Sequence, residues 1–112
     1  MTRVKIPELD FQYRIKKDVY YREHQNRTSI VRIFCRECGT KLLLYQKDGK
    51  QGWLKWCYFD RIIKPWFNSR NSNMQCPKCN RVIGKKTVRK GRLSYEIIRK
   101  SFKRRTIVRV KG

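Results

Sequence analysis

Four cysteines in two pairs carry the strongest chemical signal in this chain. They form Cys35-Arg-Glu-Cys38 and Cys76-Pro-Lys-Cys79, each a C-x-x-C, with residues 39–75 between them. Two thiolates two residues apart can grip one cation from a single tight turn. A second such turn supplies the other corners of a tetrahedron, and four thiolates at roughly 2.3 Å close the shell around Zn²⁺. Gly39 and Asn80 each follow the second cysteine of a pair. Both residue types tolerate the positive φ that such a turn tends to need. Cys35, Cys38, Cys76 and Cys79 are therefore the candidate ligands, and Zn²⁺ is the expected ion. Two redox dithiols are the competing reading, but the βαβ context they need is missing. Residues 1–30 hold no continuous apolar core of a secretory signal, which disfavours a disulfide framework. A reducing, intracellular compartment is expected, the cytoplasm first and an organelle second.

Two further residues could join this chemistry and are not expected to. Cys57 lies in the apolar run Trp53–Phe59 and reads as a small buried hydrophobe. His24, the single histidine, sits among Arg22, Glu23, Gln25 and Asn26 and reads as exposed. A hydrolase would need a nucleophile with its base, paired carboxylates, or a metal with an open position. The chain offers none of these patterns, so no catalysis and no small-molecule substrate are expected.

Charge is the second signal. Thirty Lys and Arg against eight Asp and Glu give +22 over 112 residues. Four metal-bound thiolates and one dication change this by −4 + 2, leaving about +20. Such an imbalance is costly in self-repulsion unless a polyanion neutralises it, and nucleic acid is the evident one. The excess is uneven: residues 81–112 carry 13 Lys and Arg against Glu96 alone. Candidate phosphate contacts fall in groups. Arg36, Lys41, Lys78 and Arg81 flank the cysteine turns. Lys85 and Lys86 follow, then Arg89, Lys90 and Arg92 around Gly91, then Lys103, Arg104 and Arg105. Trp53, Trp56, Tyr58, Trp66 and Phe67 crowd a region punctuated by Lys55, Arg61 and Lys64. Most of these rings are expected in the core, with one or two free to stack on unpaired bases.

The elements that must position these groups read as mainly β. Residues 1–8 read as an extended arm. Leu9, Phe11, Tyr13 and Ile15 alternate with polar residues as in a half-buried strand, with a helix over residues 8–24 as the alternative. Residues 22–29 read as loop. Ile30–Phe34 runs into the first cysteine turn and Lys41–Gln46 leaves it, predicting a metal-tipped hairpin. Asp48-Gly49 is a favoured hairpin corner, within a turn over Lys47–Lys50 that Gln51-Gly52 extends. A third strand over Trp53–Phe59 is then expected to pair back as an extra hairpin. Residues 60–67 read as a connection and 68–73 as a polar loop. Leu93–Ile97 and Thr106–Val110 read as strands, joined by a connection or short helix over Arg99–Arg105. The organisation expected is an N-terminal basic arm (1–29), a Cys₄ core (30–84) and a strongly basic C-terminal β extension (85–112). No run of 18 apolar residues is present, so no membrane span is expected.

The cysteine turns with Gly39 resemble those of zinc-ribbon proteins, a class that includes small basic ribosomal proteins and transcription-factor ribbons. The likeness covers residues 30–84. A second resemblance is to β-tent domains, in which two zinc-tipped hairpins pinch a larger antiparallel sheet. Either implies a small antiparallel sheet of zinc-tipped hairpins with the four cysteines as ligands, and the resemblance to ribosomal members implies knuckle tips docked on RNA backbone. The combined expectation is a structural zinc protein that binds RNA, foremost rRNA within a ribosomal subunit, beside neighbouring ribosomal proteins. A DNA-binding zinc ribbon and a protein-interaction adaptor are the alternatives. The chain has no helix-turn-helix pattern, zipper or Cys₂His₂ finger, which favours shape and backbone recognition over major-groove reading.

Overall fold

The computed structural model describes residues 2–49 and 53–111. In chain order the elements are β1 (Arg3–Lys5), β2 (Gln12–Arg14), a five-residue helix α1 (Val19–Glu23), β3 (Arg27–Cys35), β4 (Lys41–Asp48), β5 (Trp56–Tyr58), one 3-10 turn (Phe59–Arg61), β6 (Ile62–Pro65), β7 (Asn73–Gln75), β8 (Val82–Arg89), β9 (Arg92–Ile97) and β10 (Phe102–Lys111). The architecture is mainly β, as expected, and the strand pairs are antiparallel. One four-stranded sheet has the order β10-β3-β4-β6, a second has β5-β9-β8-β7, and β1-β2 is a short ribbon.

The two larger sheets enclose the main core, where Ile33, Leu43, Cys57, Phe67, Tyr95 and Ile97 pack together. A second cluster covers the opposite face of β3 and β4: Ile6, Ile15 and Tyr21 from the N-terminal segment meet Ile30, Leu44 and Val110. Strands β3 and β4 are thus buried on both faces. That is why Leu42–Tyr45 reads as an unbroken apolar run and Ile30–Phe34 as one broken only by Arg32, which pairs with Glu8: alternation arises only where one face meets water. The N-terminal residues form this covering layer, with Ile6 fully buried.

Several local expectations give way to longer-range pairing. The third strand is confined to Trp56–Tyr58 and joins β9 in the second sheet. The neighbour of β4 is instead β6, from the stretch read as a connection. Of the expected turn over Lys47–Lys50, Asp48 ends β4, and Gly49, at φ +92°, donates its N–H to Arg27 O at 2.8 Å. Lys50, Gln51 and Gly52 lie outside the described residues. Val19–Glu23 is helical because Asp18 caps it, accepting from the Tyr20 and Tyr21 amides at 3.1 and 3.2 Å. Arg99–Arg105 forms no helix, since residues 102–105 already belong to β10.

Buried polar groups tie the covering layer to the sheet. Arg61 is 2 % exposed and pairs with Asp18 at 2.5 Å and Asp48 at 2.9 Å. Gln46 is wholly buried. It accepts from Tyr13 Oη and Lys16 N and donates to Lys16 O and Asp48 Oδ1, each at 2.9–3.0 Å. These four bonds use the full capacity of a side-chain amide.

Candidate metal centre

Each cysteine pair sits in the turn of a hairpin, the first between β3 and β4, the second between β7 and β8. The two turns are built alike. Gly39 N donates to Cys35 O at 2.8 Å, and Asn80 N donates to Cys76 O at 3.0 Å. Cys35 N reaches Thr40 O at 2.8 Å, and Cys76 N reaches Arg81 O at 2.9 Å. Gly39 and Asn80 hold φ of +76° and +65°, the left-handed conformation these residue types accept.

The two turns meet. The four Sγ atoms of Cys35, Cys38, Cys76 and Cys79 all lie within 4.8 Å of one another. Cys35 and Cys79 are 3.6 Å apart across the turns, and Cys38 and Cys76 are 3.5 Å apart. A tetrahedron with bonds of roughly 2.3 Å has edges of about 3.8 Å. The cluster therefore fits one metal ion with no opening for a fifth ligand. Cys35 and Cys76 are buried and Cys79 is exposed, so the site reaches the surface on the Cys79 side.

The electrostatics favour a cation. Hydrogen bonds from Thr40, whose hydroxyl is 3.1 Å from Cys38 Sγ, bring the Cys38 thiol down to about 6. Cys79 goes the other way, to about 12. The Arg81 amide favours its thiolate, but desolvation and the thiols of Cys35, Cys76 and Cys38 outweigh that help. Four sulfurs so close resist losing four protons unless a divalent ion compensates them. An all-thiolate set suits soft or borderline ions. A bound ion would clamp the β3–β4 hairpin of one sheet to the β7–β8 hairpin of the other.

Groups around the centre brace it. Arg36 N donates to Ser101 O at 3.1 Å, and the buried Ser101 hydroxyl bonds to Ile98 O at 2.6 Å. Glu37 and Arg81 form an exposed ion pair at 2.9 Å that spans the two turns. Cys57, 1 % exposed, and His24 stand apart from the four-sulfur cluster. Burial pushes the Cys57 thiol up, so it stays neutral. His24 is exposed, with Nδ1 at 2.7 Å from Tyr20 O at the end of α1.

The basic residues singled out from the sequence do not gather into one cluster. Arg36, Lys41, Lys78 and Arg81 surround the metal site and are exposed. Lys41 also contacts Glu8 at 3.7 Å and lies 5.6 Å from the Trp66 ring. Lys85, Lys86 and Arg89 are exposed strand residues of β8. Lys103, Arg104 and Arg105 are in β10 beside Phe34, Ile33 and Arg32 of β3. Lys90 and Gly91, at φ +53° and +72°, make the two-residue turn from β8 to β9. This turn lies at the far end of β8 from the cysteines. There Arg92 is held between the Tyr20 and Tyr58 rings at 3.8 and 3.7 Å, and Arg89 lies 4.8 Å from Trp56. Tyr20 and Arg92 are 72 positions apart, counted from their numbers, so no local pattern announces that stack.

No protein-family model matches the chain, and no curated protein or solved structure is significantly similar to it. No helix among the described residues is long and apolar enough to cross a membrane.

Proposed function

We propose that this chain is a zinc-stabilised RNA-binding protein that works on the ribosome, with Cys35, Cys38, Cys76 and Cys79 as zinc ligands. The two cysteine hairpins then act as zinc-ribbon or β-tent tips. Their part is to hold the sheets in fixed relation, and the reading assigns no catalytic step. The observation that carries it is the charge imbalance. Eight carboxylates cannot neutralise thirty cations however the chain folds. Those seen in ion pairs, Glu8, Asp18, Glu37, Asp48 and Asp60, are spent on Arg32, Lys41, Arg61, Arg81 and Arg92. The remaining excess faces outward on several sides, which suits a partner that wraps around the protein and carries a dense negative backbone.

Filter binding to structured RNA and to duplex DNA at matched salt tests the reading. Tighter binding to RNA is expected, and a preference for DNA would replace it with a DNA-binding ribbon. Co-sedimentation with ribosomal subunits at about 0.3 M salt tests the location, because non-specific phosphate contacts weaken steeply over that range. Protein that washes off the particles at low salt would remove the ribosome from the reading. If the purified protein bound neither nucleic acid, the adaptor alternative would stand.

A further inference from the structure

A cleft of about 280 Å³ opens between the end of α1, the end of β4 and the β8–β9 turn, and Trp53, Trp56 and Tyr58 line it. It is at the end of β8 remote from the cysteines, roughly 23 Å away at 3.3 Å per strand residue. We propose that this cleft seats one unpaired nucleobase of RNA. The inference rests on the RNA-binding reading above and adds to backbone contacts a site for a flipped-out base.

Three features carry it. First, aromatic rings reach the surface of the cleft, Trp53 most openly, while Arg92 already covers a face of Tyr58 and Arg89 and Lys55 lie over Trp56. Trp53 is 51 % exposed, and Trp56 and Tyr58 are only half-buried. A flat ring stacks on such faces whatever its sequence identity. Second, the floor is pre-organised. Arg92 is fixed between Tyr20 and Tyr58 and paired with Asp60 at 2.6 Å, so little order is lost on binding. Third, the rim selects an anion. Arg89 and Lys90 are exposed, and neither appears in an ion pair among the described residues. Lys55, on the same wall, lies 5.2 Å from the Trp56 ring. The acidic groups of the cleft are Asp48, already engaged by Arg61, and Glu23. Cationic side chains, the other common guests of aromatic faces, are repelled by this rim. A base with its attached phosphate meets both the rings and the cations. The volume falls just below the range of about 300–1,000 Å³ typical of drug-sized ligand pockets, which suits one base.

The test uses two RNA hairpins with the same stem, each closed by a non-nucleotide linker so that no loop base is free, one of them carrying a single unpaired adenosine. The zinc-loaded full chain is expected to bind the bulged hairpin about tenfold more tightly, with quenching of tryptophan fluorescence. Trp53→Ala should abolish the preference and leave affinity for the smooth stem unchanged. Trp56→Phe should retain the preference, and Trp56→Ala should lose it while keeping the bound metal. Equal binding of both hairpins by the wild-type chain overturns this inference and leaves the RNA reading intact. So does a Trp53→Ala variant that keeps the tenfold preference. Failure of the wild type to bind either hairpin overturns the RNA reading itself.

Discussion

Arg61 is the residue whose loss this fold should tolerate least. It lies inside the molecule with two carboxylates, Asp18 and Asp48, and Asp48 is 8 % exposed. Removing one partner of a buried pair strands the other charge. Arg61→Met is therefore expected to cost about 3–5 kcal/mol in urea unfolding of the metal-loaded protein. Glu8 predicts a pH effect. Hydrogen bonds from Arg32, one of them 2.7 Å to Oε1, outweigh desolvation and hold its carboxyl below the usual 4.5. A group depressed in the folded state stabilises above its unfolded value and loses that contribution as pH falls through its folded value. Glu8→Gln should thus lower the melting temperature at pH 7, by the equivalent of about 1–3 kcal/mol. The gap to wild type should narrow as pH falls below the ordinary carboxylate value and close only once the folded-state carboxyl, held lower still by Arg32, is itself protonated. Cys57 gives the contrast: Cys57→Ala should leave the metal content of the purified protein unchanged and cost about 1 kcal/mol. The four cysteines were identifiable from spacing alone, and their convergence in space follows that expectation. Arg61 was not identifiable. Its partners lie 43 and 13 positions away by subtraction of their numbers, and in sequence it is one arginine among many.

At the scale of elements, β8 and β9 make the sharpest comparison. Gly91 takes φ +72°, and a Cβ there would meet nothing within 4 Å. Gly91→Ala should cost only the left-handed strain, about 1–2 kcal/mol. Gly84 has ordinary φ, but its added Cβ would lie 3.1 Å from Glu96 O and 3.2 Å from Tyr95 Cβ. Gly84→Ala must push β8 from β9 and disturb Tyr95 in the main core, at a cost of about 1–3 kcal/mol. Denaturation midpoints should fall in both variants, and only Gly84→Ala should alter the near-UV circular dichroism contributed by Tyr95 and its ring neighbours Phe59 and Phe67. Strand identity was partly legible here: Leu93–Ile97 alternates and Ile30–Phe34 is rich in β-branched residues, whereas Lys85, Lys86 and Arg89 read as basic loops and are instead strand residues of β8. Pairing was less so. The expected hairpin of β4 with Trp53–Phe59 does not form, because β6 takes the place beside β4 and β5 joins β9. Turn chemistry marks where a strand ends, but it does not say which strand becomes its neighbour.

For the whole molecule, the expectation that follows from the proposed zinc site is that metal binding decides whether the chain folds. A chain of this length has a net stability of about 5–15 kcal/mol, and a structural Cys₄ zinc contributes apparent binding energy of the same order, roughly 10–16 kcal/mol. Elemental analysis should find one zinc per chain. A strong chelator at pH 7 should unfold the protein, seen as loss of tertiary circular dichroism, and zinc should restore it. Cys35→Ser and Cys76→Ser remove ligands from different sheets and should each weaken metal retention. If either variant kept full metal affinity, the four-sulfur centre would be wrong.

Three properties were set by the chain alone: its β character, its charge of +22 and the identity of the four sulfurs. Each is a sum over composition or a local spacing, and folding does not rearrange either. Tertiary structure decided which strands are neighbours, that β3 and β4 are covered on both faces, that Arg61 is enclosed by two aspartates, and that Arg92 meets Tyr20 and Tyr58. Those outcomes depend on contacts between residues far apart in the chain, where several pairings satisfy the same hydrophobic pattern and only the fully packed arrangement distinguishes them.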